Sequence, residues 1–69
     1  MNDYEFGNYL YELRKKAGLS QTELAWQLGV TNKAVSKWEN GKAKPSTETI
    51  RKLASLFGVS VGSSFPDPD

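Results

Sequence analysis

Apolar residues recur at intervals of three or four along four separate stretches of this chain, which is the spacing of a buried helical stripe. Each stretch follows a residue that can cap a helix N-terminus, and each ends close to a glycine, which tolerates the left-handed conformation that terminates helices. The pattern therefore predicts four helices, at about 3–17, 21–28, 32–40 and 47–57. Their apolar faces comprise Phe6, Leu10 and Leu13; Leu24, Ala25 and Leu28; Ala34, Val35 and Trp38; and Ile50, Leu53, Ala54 and Phe57.

The second and third predicted helices are separated by only a few residues, so they form a helix-turn-helix. Ser20 and Glu23 have the S-x-x-E spacing of a capping box, which marks the start of the second helix. Gly29 ends it, Val30 is an apolar residue in the turn, and Thr31 can cap the third helix. We expect the two helices to pack against each other across this turn.

The third helix keeps a polar outer face once its apolar residues point into the core. This face consists of Asn32, Lys33, Ser36 and Lys37. Asparagine can pair bidentately with adenine, and lysine can donate to guanine O6 and N7. A helix supported by a partner helix and carrying such groups suits the major groove of DNA, so these four residues are predicted to read bases. In the alternative interpretation the lysines only neutralise phosphate and Asn32 only assists the helix start.

The helical spacing of apolar residues ends at Gly58. Val59, Val61 and Phe65 offer apolar contacts, but the residues between 61 and 65 are glycine and serine, which weaken a helix. Two prolines and two aspartates follow, as in a frayed terminus. We therefore expect a helix-turn-helix domain at residues 1–61 and a flexible tail at 62–69. The predicted fold class is all-α, a compact bundle of four to five short helices.

Charge is unevenly distributed, although the net charge is only +1. All nine lysines and arginines lie between Arg14 and Lys52, a span that contains three acids, whereas the two ends contain only acids among their charged residues. A basic middle between acidic ends fits the electrostatic footprint of a protein that binds a polyanion. A set of solvated helix faces explains the same distribution equally well.

Several classes of protein are disfavoured by what the sequence lacks. It has no cysteine and no histidine, so disulfides and Cys/His metal sites cannot support the fold. No paired acidic motif, glycine-rich phosphate loop or nucleophile signature occurs, and we predict no enzyme, no catalytic residue, no metal and no cofactor. No apolar run approaches the roughly 18 residues of a membrane span, and the N-terminus is unlike a secretory signal. The expected protein is cytoplasmic, nucleoid-associated when bound to DNA, and makes no membrane contact.

The ordered motifs of this chain resemble the helix-turn-helix domain of phage repressors, Cro-like proteins and their bacterial relatives, the XRE type or lambda-repressor-like family. The matching elements are Arg14, G-L-S-Q-x-x-L-A at 18–25, G-V at 29–30, S-K-W-E-N-G-K at 36–42, P-S at 45–46 and L-F-G-V-S at 56–60. The resemblance spans about residues 6–61. It implies a five-helix DNA-binding domain of a transcriptional regulator, acting as a repressor, with residues 32–39 as the recognition helix.

Phosphate contacts are expected from the starts of the second and third helices, from the basic loop after the third helix and from Arg14. The candidates are Gln21, Thr31, Asn40, Lys42, Lys44 and Arg14. The alternatives are an ordinary exposed first-turn residue for Gln21, a helix cap for Thr31 and a solvated loop for the residues after the third helix. The resemblance also implies a structural ion pair between Arg14 and Glu39, which would join the first helix to the recognition helix.

The chain departs from the family pattern at two places. Trp26 stands where relatives carry a charged or small polar residue, and we expect a half-buried surface residue there rather than a partner contact. The C-terminal VGSSFPDPD replaces the acidic, leucine-containing segment that often supports dimerisation in relatives. The expected partner is double-stranded DNA, and the altered segment leaves two alternatives open, a single copy or a homodimer on a palindromic operator. The alternative is a protein-interaction module or antitoxin-like component with the same fold.

Overall fold

The computed structural model of this 69-residue chain describes residues 2–59. Within this range it contains four α-helices and no strand: α1 (Asp3–Lys16), α2 (Gln21–Leu28), α3 (Asn32–Glu39) and α4 (Thr47–Phe57). The all-α prediction is confirmed, and each helix lies within one residue of its predicted bounds. The predicted domain boundary between residues 61 and 62, the fifth helix and the tail lie outside the described residues.

Side-chain caps begin all four helices. Asn2 and Ser20 each take part in a complete capping box, in which the cap side chain accepts the N–H of a glutamate three residues on and that glutamate accepts the N–H of the cap. The side chains of Thr31 and Ser46 accept one backbone N–H each at the starts of α3 and α4. The helix bounds thus follow from local hydrogen-bonding chemistry that the sequence displays directly.

One apolar core joins the four helices. Its largest fully buried side chains come from each of them: Phe6, Leu10, Leu24, Val35, Ile50 and Leu53. Trp38 closes the core beside α1, with 6% of its surface exposed. Burial of this inward face fixes the rotation of α3, so its opposite face is directed to solvent.

α1 crosses the C-terminal end of α3 at very short distance through Gly7. A Cβ atom added at Gly7 would clash with the carbonyl oxygen of Trp38 and would lie 2.7 Å from that of Glu39. Only glycine leaves room for the two backbones to approach so closely. This crossing holds the end of α3 against α1.

No helix within residues 2–59 is long and apolar enough to cross a membrane.

Candidate nucleic-acid interface

α3 separates its residues into an inward and an outward face. Val35 is fully buried and Ala34 is half-buried against the core. Asn32, Lys33 and Lys37 are exposed, as expected for base-reading candidates. Three of the four predicted base-reading residues thus form one open polar surface, on a helix whose other side is held by the core.

The fourth candidate, Ser36, is half-buried and interacts with the residue that ends the helix. Asn40 donates its side-chain amide to the carbonyl oxygen of Ser36 at 2.8 Å and approaches its hydroxyl at 3.4 Å. Asn40 is the C-cap of α3, and its backbone N–H donates to the same carbonyl at 3.0 Å, so the Ser36 carbonyl accepts two hydrogen bonds from this one residue. Asn40 as a whole is exposed at the end of α3.

The beginning of α3 and the loop after it carry the next three phosphate candidates. Thr31 accepts the N–H of Ala34 through its hydroxyl oxygen at 3.2 Å, which establishes its role as a cap. Lys42 and Lys44 are exposed in the loop between α3 and α4, and buried Pro45 anchors the end of that loop. The two lysines therefore extend the positive surface of α3 towards α4.

Arg14, Gln21 and Glu39 form one buried network behind the outward face of α3. Arg14 donates from Nε to Glu39 Oε2 at 2.6 Å and from Nη2 to Oε1 at 3.0 Å, a bidentate arrangement. Gln21 donates its side-chain amide to the same Oε1 at 3.1 Å. The side chains of Arg14 and Glu39 are only 9% and 5% exposed. One carboxylate at the end of α3 therefore binds donors from both α1 and α2.

Arg14 is committed to these internal partners. Its Nη1 donates to the carbonyl oxygen of Leu19 at 2.9 Å, and its guanidinium carbon lies 5.3 Å from the centre of the Tyr11 ring. The hydrogen bonds to Glu39 raise the pKa of the guanidinium above its ordinary value, although burial opposes the shift. A phosphate contact from Arg14 stays a prediction, but its bonds and burial favour a structural role.

An open groove of about 510 Å³ lies between the end of α1 and the starts of α2 and α3. Its walls include a base-reading candidate, Asn32, and a phosphate candidate, Gln21, together with Lys15 of α1. The groove therefore continues the outward surface of α3 onto α2 and α1. No group of three or more acidic, cysteine or histidine residues within residues 2–59 could hold a metal ion.

Trp26 lies on the solvent side of α2, with 76% of its surface exposed. The expectation of a half-buried residue was wrong, because Leu24, Ala25 and Leu28 already fill the buried face of this short helix. Trp26 lies on the opposite side of the helix from these three residues.

Two features of this region were not apparent from sequence patterns, and a third left a signal there. The bond from Gln21 to Glu39 joins residues that are 18 positions apart, and no local signal marks it. The groove position of Lys15 depends on how the helices are arranged in space. The close crossing at Gly7 did leave a signal, because a glycine inside a helical pattern often has a packing reason.

Comparisons with known proteins assign this arrangement to a family. A family model described as helix-turn-helix matches residues 10–63. The chain is 40% identical over 57 residues to the HTH-type transcriptional activator BcrR of Enterococcus faecalis, a match that covers 83% of this chain and 28% of that protein. The chain spans only about a third of the length of the first curated relatives it matches.

Solved structures share the fold. The restriction-modification controller protein C.AhdI from Aeromonas hydrophila matches with a TM-score of 0.77 at 36% identity, over 84% of each chain. Apo-HppE matches with a TM-score of 0.80 at 27% identity, over 96% of this chain and 37% of that one. The same helical unit thus occurs both as most of a small controller protein and as part of a longer chain.

Proposed function

The chain belongs to the helix-turn-helix family, and on that premise we propose that it binds double-stranded DNA sequence-specifically as a transcriptional regulator. The observation that carries the proposal is the two-sided α3. Val35 and Trp38 hold it in the core, while Asn32, Lys33 and Lys37 are exposed on one surface. A supported helix with amide and ammonium groups on its free side can enter the major groove and donate to base edges.

Phosphate contacts would fix the register of α3 in the groove. Lys42 and Lys44 are exposed in the loop after α3, and Gln21 lies at the start of α2. Lysine–phosphate contacts release counterions, so the affinity should fall steeply as salt increases. Because one N–H of the Gln21 side-chain amide donates to Glu39, Gln21 would donate to phosphate through its backbone N–H or through the second N–H of that amide.

We propose repression, by occlusion of an operator, as the principal action. Recruitment of a transcription complex from the same site is the other outcome, since one relative is named an activator. A homodimer would place one α3 in each half of a palindromic operator. We propose a cytoplasmic location, with association with the nucleoid when the protein is bound to DNA, and no catalytic activity.

Recovery of duplexes from a randomised DNA pool at near-physiological salt tests the proposal. We expect an enriched motif, and we expect Asn32→Ala or Lys33→Ala to relax it at one or two positions, at a cost of about 1–3 kcal/mol for each lost base contact. Lys52→Ala is the matched control, because Lys52 is exposed on α4 and faces Glu48 at 3.8 Å. Failure of the folded protein to enrich any motif would overturn specific DNA binding.

A protein-interaction module is the second candidate, and the exposure of Trp26 supports it. Tryptophan is enriched at the energetic centres of protein interfaces. An antitoxin-like component would combine such an interface with DNA binding. Partner capture that resists high salt and is lost in Trp26→Ala, in the absence of DNA enrichment, would favour this candidate.

A further inference from the structure

The two adjacent lysines at the end of α1 have different surroundings. Lys15 and Lys16 both lie in the last turn, where a cation interacts favourably with the helix dipole. The dipole therefore accounts for the presence of either lysine and does not distinguish between them. Successive residues of a helix project about 100° apart, however. Lys15 borders the groove of about 510 Å³ beside α2 and α3, which Lys16 does not line. Lys16 borders two other surface depressions, lined also by Tyr9, Glu12, Leu13, Ala17 and Phe57. Lys15 also contributes to one of those surfaces.

The other charged groups at the groove are already engaged. Arg14 is paired with Glu39, and its guanidinium is almost fully buried. Glu23 accepts the backbone N–H of Ser20 at 2.8 Å as part of the capping box. Lys15 is exposed and forms no ion pair among residues 2–59. Among the charged side chains that line the groove, Lys15 is therefore the one whose ammonium N–H groups are available to a ligand.

The groove is continuous with the surface that would face DNA. Asn32, at the start of α3, and Gln21, at the start of α2, both line it. A strand that passes Gln21 while Asn32 approaches a base edge would run along the same groove. The ammonium of lysine sits on a flexible four-carbon stem, which lets it follow a phosphate as a point charge.

We infer that Lys15 donates to a phosphate of this strand, so that the DNA interface extends from α2 and α3 onto α1, and that Lys16 takes no part. The inference rests on the proposed DNA binding and adds a residue that neither the motif nor the charge distribution distinguishes from its neighbour. Lys15 acts here as a phosphate contact that positions the domain, and it reads no base.

The test compares Lys15→Ala with Lys16→Ala on a mixed-sequence duplex of about 30 base pairs, three helical turns. A generic duplex suffices, because phosphate contacts act on every sequence. We expect Lys15→Ala to make the slope of log K against log salt shallower by about 0.9, roughly an eightfold loss of affinity at 0.1 M salt. Lys16→Ala should retain the wild-type slope, and Lys15→Arg should restore it.

Thermal unfolding of each variant separates a loss of contact from a loss of folding. Both lysines have the same relation to the dipole of α1, so any stability effect should be shared by the two alanine variants. If the wild type binds with a clear salt dependence and both variants match it, or both lose affinity alike, the inference about Lys15 is overturned while DNA binding stands. If the folded wild type binds no duplex, the proposed function is overturned and this inference with it.

Discussion

Glu39 connects three helices through a single carboxylate. It is the last residue of α3, and it accepts hydrogen bonds from Arg14 of α1 and Gln21 of α2. A buried charge is tolerated only when it is paired and hydrogen-bonded, and this one has both kinds of partner. This one acidic side chain therefore adds to the core contacts of Val35 and Trp38 in fixing the position of α3.

We predict that Glu39→Ala lowers the free energy of unfolding by about 3–5 kcal/mol, because it leaves the guanidinium of Arg14 buried without its counter-ion. Glu48→Ala is the matched control. Glu48 is 82% exposed and lies 3.8 Å from Lys52, so its loss should cost under about 1 kcal/mol. Urea unfolding followed by circular dichroism measures both. DNA binding by Glu39→Ala should fall mainly through loss of folding, and unchanged thermal stability would refute this account.

Glu23 gives the stability a specific dependence on acid. The N–H of Ser20, with the Ser20 side chain second, lowers the pKa of Glu23 from its ordinary 4.5. A group with a lowered pKa in the folded state stabilises fully above its unfolded pKa, and that contribution disappears as the pH falls through the folded pKa. We expect Glu23→Gln, which keeps an acceptor for the Ser20 N–H, to lose less stability than the wild type when the pH falls below 4.5. The free energy of unfolding of both proteins is measured across this pH range, and an equal loss in the two would contradict this role of Glu23.

The partners of Glu39 differ in how far they could be predicted from the sequence. The pairing of Arg14 with Glu39 could be expected from resemblance to a family. The addition of Gln21 could not, because its amide reaches Glu39 only after α2 and α3 have packed. A long, flexible side chain at a helix start has several possible partners, and the three-dimensional arrangement selects one.

At the scale of the helices, the bounds were predictable because they are set by local groups. Asn2, Ser20, Thr31 and Ser46 each accept an N–H within the first turn of the helix that they precede. Gly29 and Gly58 take the left-handed conformation at the ends of α2 and α4. How closely α1 and α3 approach was not predictable in this way, because it depends on two backbones that are distant in sequence.

We predict that Gly7→Ala destabilises the domain by about 1–3 kcal/mol or more, because the new methyl group overlaps the carbonyl oxygen of Trp38. Helix propensity alone would favour alanine by about 0.5–1 kcal/mol, so the sign of the effect is diagnostic. Asn8→Ala is the control, since Asn8 is the exposed neighbour in the same helix. Thermal unfolding of the two variants measures the difference, and a stabilised Gly7→Ala protein would refute the close crossing.

At the scale of the whole molecule, the dimensions of the domain fit the repeat of DNA. Its backbone measures 25 × 24 × 20 Å, whereas two half-sites one helical turn apart are separated by about 34–36 Å. Two copies on adjacent half-sites would therefore leave about 10 Å between their backbones, a distance that facing side chains can bridge.

We predict that the protein binds paired half-sites cooperatively at a spacing of one turn. Insertion of about five base pairs, half a turn, should abolish the cooperativity, because the second copy then lies on the opposite side of the duplex. Gel-shift titration of the two duplexes measures the effect, with a duplex carrying one half-site as the control for intrinsic affinity. Equal, independent binding at both spacings would show that single copies act alone.

The separation of α3 into two faces has a consequence for how such proteins diversify. Asn32, Lys33 and Lys37 are exposed and take no part in the buried core. Substitutions there can therefore accumulate with little penalty to folding, while Val35 and Trp38 preserve the scaffold. A small set of exchanges on one helix would be enough to redirect the protein to a new target sequence, and transplanting those side chains between relatives would carry the preference with them.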